Sequence, residues 1–282
     1  MRRRKFEELF FRSLMVLATI VVGGSFFLIV GTIFYKGIPY MNLDMITKIP
    51  GGGFYIGKEG GVLNAIIGSL YIAGGASVLG LIISVPVALF INMYMDGQKF
   101  LSNTLRMAYD VLFGIPSIVY GAFGFLIMVY FGIRASLLGG IIAVTLLVIP
   151  ILVRTLDEVI RTVPLELRDA ALSLGATRWE MAKVVLRQIR PGIFTAILLS
   201  FGRAIGDVAS VLFTAGFSDN IPTSLHQPAA TLPLAIFFQL GSAVDEVQGR
   251  GYASALILTI IVLIITVLAQ ILTKKFSKHK SQ

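Results

Sequence analysis

The amino-acid sequence predicts an all-α membrane protein that crosses the bilayer six times. Of its 282 residues, 56% are hydrophobic and 14% are charged, whereas an ordinary soluble domain carries about 25% charged residues. The apolar residues are also grouped into long runs, and a membrane-spanning helix needs about 17–25 such residues in succession. The chain lacks the polar residues that a soluble surface requires, so we predict one transmembrane domain over residues 1–282.

Six apolar segments reach the length needed to cross a bilayer. They cover roughly residues 13–35, 68–95, 106–130, 136–153, 193–217 and 252–273. The first is longer than the apolar core of a signal peptide, which has about 7–15 residues, so we expect a retained anchor helix. The second is preceded by apolar residues from Val62, which form either an interfacial segment or the start of that helix.

Two connections outside the predicted spans are long. They comprise residues 36–61 and 218–251, and the second contains an apolar patch from Leu232 to Leu240. This patch is too short to cross a bilayer. We predict that it forms a re-entrant or surface helix.

The distribution of Lys and Arg predicts the orientation of the chain. With the N-terminus in the cytoplasm, 18 of the 24 basic residues fall in cytoplasmic segments, and Arg203 falls within a span. The five on the outer side are Lys36, Lys48, Lys58, Arg134 and Arg250. Because basic residues are enriched in cytoplasmic loops, both termini and residues 154–191 are predicted to be cytoplasmic. This distribution accounts for the net charge of +9 without nucleic-acid binding.

The longest polar segment between apolar runs lies in this cytoplasmic connection. Pro164 suits the first turn of a helix, and Gly175 can adopt the left-handed conformation that ends one. Thr177 and Glu180 have the spacing of a capping box at the start of a second helix. Residues 162–180 are therefore predicted to form a helix, a glycine turn and a second helix, an arrangement that suits a docking element.

Both predicted helices of this segment carry apolar residues at helical spacing. These residues are Leu167, Ala171, Leu174, Met181 and Val185. Such a stripe either packs on the protein's own spans or fits into the groove of a cytoplasmic partner. The sequence leaves both possibilities open, and Trp179, the only tryptophan, lies in the same segment.

The sequence contains no pattern typical of an enzyme site. It has no cysteine, which excludes disulfides, thiol chemistry and cysteine-based metal sites. Its two histidines are isolated, and no glycine-rich phosphate loop is followed by the Lys and Ser or Thr of an ATPase. We therefore predict a protein without catalytic residues and without a metal or cofactor of its own.

Two oppositely charged residues fall within the fifth predicted span. Arg203 and Asp207 are four residues apart, so they share one face of a helix. Burial of one charge alone costs at least about 2.5 kcal/mol, so such residues usually face a cavity or a partner. One interpretation is a structural ion pair; the other is a substrate pathway in which the guanidinium binds a tetrahedral oxyanion.

Charged residues also occur near the ends of two other predicted spans. Arg154 and Asp157 follow the fourth span, and Arg106 and Asp110 stand at the start of the third. Charges at helix ends often mark only the membrane interface. We favour that interpretation for Arg106 and Asp110, and it is also the simpler one for Arg154 and Asp157.

At several of these positions the sequence resembles a known family. The segment 169–175, Asp-Ala-Ala-Leu-Ser-Leu-Gly, is similar to the E-A-A-x-x-x-G loop of permeases in binding-protein-dependent ABC importers. Other segments look like phosphate-importer permeases, the A-type subunit in particular: 116–121, 153–158, 175–179, 203–207 and 212–215. The likeness extends over nearly the whole chain from the second span onward.

The resemblance implies the architecture of a type I importer permease, with a cytoplasmic coupling loop over residues 154–191. It implies that the residues docking on an ATPase are Asp169, Ala170, Ala171, Gly175, Ala176, Arg178 and Trp179. It also implies that the transport residues are Arg203, Asp207, Arg154 and Asp157.

The same resemblance implies that the chain forms half of a phosphate pathway in a bacterial cytoplasmic membrane. Its expected partners are a homologous permease, two ATPase subunits and an extracytoplasmic phosphate-binding protein. ATP and magnesium would be bound by the ATPases, and this chain would bind no cofactor.

The sequence departs from the family pattern at four positions. Asp stands at 157, 169 and 207 where Glu is usual, which keeps the charge and shortens its reach. Arg187 stands where the motif commonly has proline, so we expect the second loop helix to run on to Pro191. The alternatives are a permease for another oxyanion such as sulfate or molybdate, or a self-contained channel or secondary transporter.

Overall fold

The computed structural model describes residues 2–51, 59–95 and 98–277, and these residues are almost entirely helical. The helices are α1 (Arg2–Gly37), α2 (Leu43–Thr47), α3 (Leu63–Met93), α4 (Lys99–Gly114), α5 (Ser117–Tyr130), α6 (Leu137–Arg161), α7 (Leu165–Ser173), α8 (Arg178–Gln188), α9 (Arg190–Ile205), α10 (Leu232–Leu240) and α11 (Asp245–Ser277). The only β-type pairing within these residues is an isolated bridge between Pro50 and Gly60.

Four of the described helices are long and apolar enough to cross a membrane: α1, α3, α6 and α11. Two bent helix pairs meet the same criteria of length and composition when each pair is taken together. α4 and α5 meet at 96°, and α8 and α9 meet at 69°. The count therefore rises to six if each bent pair is one span. The predicted all-α membrane fold is confirmed.

The centre of the molecule is the contact between α3 and α6, which glycines bring close together. A Cβ atom added to Gly75 would lie 2.9 Å from Ile141, and one added to Gly80 would lie 2.9 Å from Leu152. Small residues at helix contacts let backbones approach closely. The van der Waals contacts formed in this way help to hold helices together inside a membrane. α9 and α11 complete this core.

Helix α1 lies along the outside of the bundle. None of the side chains in its most apolar window is buried, and its contacts with the bundle are mainly with α11. At its end, Gly37 approaches the backbone of Tyr252 so closely that an added Cβ would lie 2.8 Å from the carbonyl oxygen. Lys36 lies over the Tyr252 ring, 5.0 Å from its centroid. These contacts fix the C-terminal end of α1.

The third predicted span, 106–130, is interrupted at its middle. Ile115 is extended, with φ −70° and ψ 132°, because the residue before a proline is disfavoured in the helical region. Pro116 then precedes α5. The hydroxyl of Tyr120 donates to the Leu112 carbonyl at 2.7 Å, which satisfies one of the groups that the break leaves unpaired.

The fifth predicted span, 193–217, differs most from the structure. Helix α9 ends at Ile205, and residues 206–231 form turns and extended backbone. The buried carboxylate of Asp207 accepts hydrogen bonds from the backbone and the side chain of Ser210, which starts a new turn. Gly216, at φ +75°, then reverses the chain. Local side-chain hydrogen bonding competes here with continuation of the helix.

The remaining helices differ from the predicted spans at their ends. α3 begins at Leu63, so the apolar residues from Val62 are the start of that helix. α6 continues past residue 153 to Arg161, so Arg154 and Asp157 lie within it. The apolar patch Leu232–Leu240 forms α10, which packs on α11 and α3.

Candidate functional site

A buried carboxylate near the cytoplasmic end of α6, in the predicted orientation, gathers side chains from three helices. The Asp157 side chain is 4% exposed and accepts hydrogen bonds from Asn92 at 2.6 Å and Tyr109 at 2.8 Å. Arg106 binds both of its oxygens, at 3.1 and 3.2 Å, and Arg161 lies 3.2 Å away. We call these five residues the Asp157 cluster. A buried carboxylate with this many donors is held in its charged form and in one position.

Helix periodicity explains how the Asp157 cluster forms. Asn92 stands in the last turn of α3, and Asp157 and Arg161 are one turn apart on α6. Arg106 and Tyr109 are likewise about one turn apart on the face of α4 toward α6. Three helices therefore meet at one carboxylate. Arg106 therefore does more than mark the membrane interface, because it binds the buried carboxylate of Asp157.

Arg154 has other partners than Asp157. Its guanidinium lies 3.4 Å from Asp110 and 3.2 Å from Glu158, and it stacks 5.5 Å from the centroid of Phe113. The Arg154 side chain is 45% exposed. The two predicted transport residues of α6 thus belong to different groups, one on the surface and one buried.

Arg203 and Asp207 are brought together at the end of α9. The guanidinium nitrogen Nη2 lies 4.0 Å from the nearer carboxylate oxygen, at the limit of an ion pair. The Arg203 side chain is 50% exposed, while that of Asp207 is 3% exposed. The other oxygen of Asp207 accepts from the backbone N–H of Ser210 at 2.8 Å. Asp207 therefore has a structural role in its turn, and Arg203 presents a largely accessible cation.

The turn between α7 and α8 has the predicted glycine conformation. Gly175 has φ +82°, and the hydrogen bonds of Gly175 to Leu172 and of Ala176 to Ala171 form a Schellman motif. Thr177 caps α8 in a complete capping box with Glu180. The hydrogen bonds from Thr177 lower the pKa of the Glu180 carboxyl, since they stabilise its charged form.

The apolar stripe of this segment divides between the two possibilities that the sequence leaves open. Met181 and Val185 of α8 are buried in the protein's own core, and Leu167 of α7 packs against it. Leu174, however, is 89% exposed, and Trp179 is 57% exposed. The stripe packs inward along α8 and is uncovered around the turn.

Most of the predicted coupling residues lie on this uncovered surface. Asp169, Ala170 and Gly175 are exposed, and Ala171 and Ala176 are partly exposed. We call the exposed part of the turn, formed by residues 169–179, the turn surface. It consists of the ends of two short helices and the turn between them, and a short exposed helix is one means of entering a groove on another protein.

Arg178 of the turn surface contacts this chain's own helix α3. Its guanidinium donates to the carbonyl oxygens of Met93 and Tyr94, at 3.4 Å each, and lies 5.6 Å from the centroid of the Tyr94 ring. A cation at a helix C-terminus satisfies unpaired carbonyls and complements the helix dipole. Arg178 therefore connects the turn surface to the end of a spanning helix.

Helix α8 does not continue to Pro191. It ends at Gln188, and α9 begins at Arg190 with Pro191 in its first turn. Proline is favoured in the first turn of a helix and breaks a helix interior, which explains why the chain bends by 69° here. Arg187 stands where the family motif commonly has proline, but the chain still bends between α8 and α9.

Sequence comparison identifies the family. The model of the family described as "Binding-protein-dependent transport system inner membrane component" matches residues 76–282. The chain belongs to this family. It is a multi-pass permease, and an inner membrane component of a transport system.

The permease has relatives of nearly the same length. The phosphate transport system permease protein PstA of Haemophilus influenzae is 33% identical over 263 residues, which are 92% of this chain and 90% of that protein. The protein of the same name from Xylella fastidiosa strain Temecula1 is 36% identical over 86% of this chain and 83% of its own. That from Pasteurella multocida is 33% identical over 98% of this chain and 97% of its own.

The permease fold also matches a solved structure. A chain from inward facing conformations of the MetNI methionine ABC transporter, in its native crystal form, aligns with a TM-score of 0.60 and 18% sequence identity. The match covers 76% of this chain and 94% of that one. The predicted type I importer permease architecture is thereby confirmed.

The four predicted transport residues of the permease lie in three places, because only Arg203 and Asp207 lie together. Gly192, near the start of α9, contacts Val159, which is close to Asp157 on α6. Arg203 lies further along α9 by roughly 16 Å at 1.5 Å per residue. The structure therefore brings Arg203 to Asp207 and leaves both distant from the Asp157 cluster.

Proposed function

We propose that this permease is a membrane subunit of an ATP-driven importer of inorganic phosphate. The observation that carries the proposal is the 33–36% identity to three permeases named for phosphate transport, over 86–98% of this chain. The half-exposed guanidinium of Arg203 supports it, because a planar fork of N–H donors suits a tetrahedral oxyanion.

In this proposal Arg203 is the transient phosphate site. Its accessible N–H groups attract the anion, while the buried carboxylate of Asp207, 4.0 Å away, weakens the net positive field. A pathway site must bind well enough to admit an ion and weakly enough to release it. Arg154 and Asp157 would act nearer the cytoplasmic end. Arg154 would contact the phosphate anion, and Asp157 would hold the surrounding helices in place.

The turn surface is the proposed contact with a cytoplasmic ATPase. Leu174 and Trp179 supply exposed apolar area, and Gly175 sets the angle between the two helices that present it. The ATPase would bind ATP and magnesium, and this chain would bind no cofactor. Movement of the turn surface would pass to α3 through Arg178 and to α6 through the short connection at residues 162–164.

The complete importer would contain this chain, a homologous permease, two ATPase subunits and an extracytoplasmic phosphate-binding protein. Both termini and the segment 154–191 would face the cytoplasm, because basic residues are concentrated there. The basic residues then neighbour the anionic inner surface of the bilayer. They require no nucleic-acid partner.

Uptake of radiolabelled phosphate tests the proposal. Cells lacking the gene for this chain should lose high-affinity uptake and regain it with the full-length chain. Unlabelled phosphate should compete for the restored uptake, and equal concentrations of sulfate or molybdate should not. Competition by sulfate or molybdate as strong as that by phosphate would assign the other oxyanion instead.

Dependence on ATP separates an importer from a channel. Membrane vesicles that contain the full transporter should take up phosphate when ATP is present inside them. Uptake should stop when the ATP is removed and return when it is restored. Phosphate flux that persists without ATP would indicate a self-contained channel or secondary transporter.

A further inference from the structure

A basic cavity opens between α3, α4, α6 and α7, at the cytoplasmic end of the bundle in the proposed orientation. Its volume is about 460 Å³, within the range of about 300–1,000 Å³ that is typical of small-molecule sites. Four of its lining residues are basic: Lys99, Arg106, Arg161 and Arg168. None of the lining residues in the described part of the chain is acidic. We call it the basic cavity.

The positive charge of the basic cavity is only partly neutralised by the protein. Asp157, which lies behind its wall, is the one carboxylate that pairs with Arg106 and Arg161. Lys99 and Arg168 form no ion pair within 4.0 Å among the residues that the structure describes. Among the described residues, two of the four cations thus pair with Asp157 and two have no carboxylate partner, and their mutual repulsion favours binding of an anion.

Arg168 in particular has unused donor capacity. Its Nη2 atom donates to the Ile160 carbonyl at 2.8 Å, which holds the side chain between α6 and α7. Its Nε atom is buried and has no hydrogen-bond partner in the described part of the chain. A buried N–H without an acceptor is unfavourable, so an acceptor in the cavity would be stabilising.

We propose that the basic cavity binds a phosphoryl group. Arginine forks bind phosphate oxygens through paired, charge-assisted hydrogen bonds, and Lys99 adds a point charge. Asn103 of α4 supplies a neutral amide donor. Four further lining residues are apolar: Ile91, Met95, Val163 and Leu165.

The apolar lining residues indicate which phosphoryl compound fits best. Inorganic phosphate has no apolar part that could cover Leu165, which is 66% exposed. An anionic phospholipid presents its phosphoryl group to the cations and its glycerol and upper acyl carbons to the apolar residues. Basic cavities between spanning helices on the cytoplasmic side are suited to such headgroups. The ligand is therefore an anionic phospholipid of the inner leaflet, and free phosphate is the other source of the same chemistry.

Binding would connect two parts of the permease that share no ion pair. Lys99 begins α4, next to the Asp157 cluster, and Arg168 lies in α7, next to the turn surface. A phosphoryl group between them would hold the coupling segment against the spanning helices. The position of the turn surface would then depend on the lipid.

Native mass spectrometry of the purified full transporter tests this proposal. The transporter is first delipidated and then supplied either with phosphatidylglycerol, with phosphatidylcholine, or with inorganic phosphate alone. We expect one retained phosphatidylglycerol per copy of this chain and no retained phosphatidylcholine. The double variant Lys99→Gln/Arg168→Gln should weaken retention about twenty-five-fold, since each basic residue near an anionic lipid contributes about fivefold.

A matched double variant serves as the control. Lys183→Gln/Arg187→Gln removes the same two charges from exposed positions of α8 outside the cavity and should retain the lipid. Because Arg168 also contacts Ile160, the single variant Lys99→Gln, at an exposed residue, should show a partial loss in a protein with unchanged melting temperature.

The outcomes distinguish the two sources. Retention of a phosphate mass instead of a lipid mass, lost in the same double variant, would keep the phosphoryl site and assign it to free phosphate. Equal retention by the cavity variant and the control, for lipid and phosphate alike, would overturn the proposal. Because only binding is measured, the result stands apart from whether the permease transports phosphate.

Discussion

Arg106 of α4 binds both carboxylate oxygens of Asp157 on α6, with Nε 3.1 Å from Oδ2 and Nη2 3.2 Å from Oδ1. The Asp157 side chain is 4% exposed, so its charge is stabilised mainly by its protein partners. A bidentate contact of this kind fixes the angle between two side chains as well as their distance. It therefore fixes α4 relative to α6.

Replacing Arg106 with Gln should destabilise the protein. Removing one partner of a buried pair costs about 3–5 kcal/mol, and we expect about 2–3 kcal/mol here because Asn92, Tyr109 and Arg161 still contact Asp157. Denaturation of the purified full-length chain in detergent measures the change in the free energy of unfolding.

Arg154→Gln is the matched control for that experiment. Arg154 and its partners Asp110 and Glu158 are each about half exposed, and exposed ion pairs contribute about 0–1 kcal/mol. An effect of Arg154→Gln equal to that of Arg106→Gln would show that burial of Asp157 does not determine the stability.

Arg203→Gln should abolish phosphate uptake while the subunits still assemble. Glutamine keeps a polar side chain, shorter than that of arginine, but removes the cation, and Arg203→Lys should restore part of the activity because it returns the charge without the fork. Uptake in cells and co-purification of the ATPase are the two measurements. Arg190→Gln removes the same charge from the exposed start of α9 and should leave uptake near normal.

Asp207→Asn should lower the apparent KM for phosphate and also lower the maximal rate. The amide oxygen can still accept the hydrogen bond from Ser210, so the turn is kept while the negative charge beside Arg203 is lost. Phosphate would then bind more tightly and leave more slowly. Asp207→Ala also removes the acceptor and should destabilise the chain by about 1–3 kcal/mol. Unchanged uptake kinetics in Asp207→Asn would leave Asp207 with a structural role alone.

Gly175→Val should uncouple ATP hydrolysis from uptake. An added Cβ meets no atom within 4 Å, so the effect arises from the backbone, which at φ +82° disfavours a side chain by about 1–2 kcal/mol. The turn surface would change its angle, and fewer phosphate ions would enter per ATP hydrolysed. Gly31→Val, in helical backbone and equally open space, is the control. Normal coupling in Gly175→Val would remove the turn surface from the mechanism.

Local sequence signals predicted the structure of residues 162–180 well, because that structure depends on neighbouring residues. At position 175 a glycine takes the left-handed conformation at low cost, since it has no side chain. Thr177 and Glu180 form their capping box within one turn. Hydropathy located the helical spans for a similar reason, since a bilayer imposes the same length requirement on each.

The helix breaks and the Asp157 cluster could not be predicted in the same way. Residues 206–217 are as apolar as a span, and the end of α9 at Ile205 depends on burial of Asp207 in a turn. Three of the partners of Asp157, namely Asn92, Arg106 and Tyr109, lie 48 to 65 positions away along the chain. Asn92, a polar residue in the last turn of an apolar helix, was the one sequence signal for a buried polar contact at this position. Its partner Asp157 becomes visible only once the helices are packed together.

The close contact of α3 and α6 has a mechanical consequence. Gly75 and Gly80 leave no room for those two helices to slide past each other, because the facing side chains already lie where a Cβ would be. The pair is therefore expected to tilt as one stiff body. Flexing must then occur at hinges elsewhere, namely at Pro116, at the α8–α9 bend and beyond Ile205.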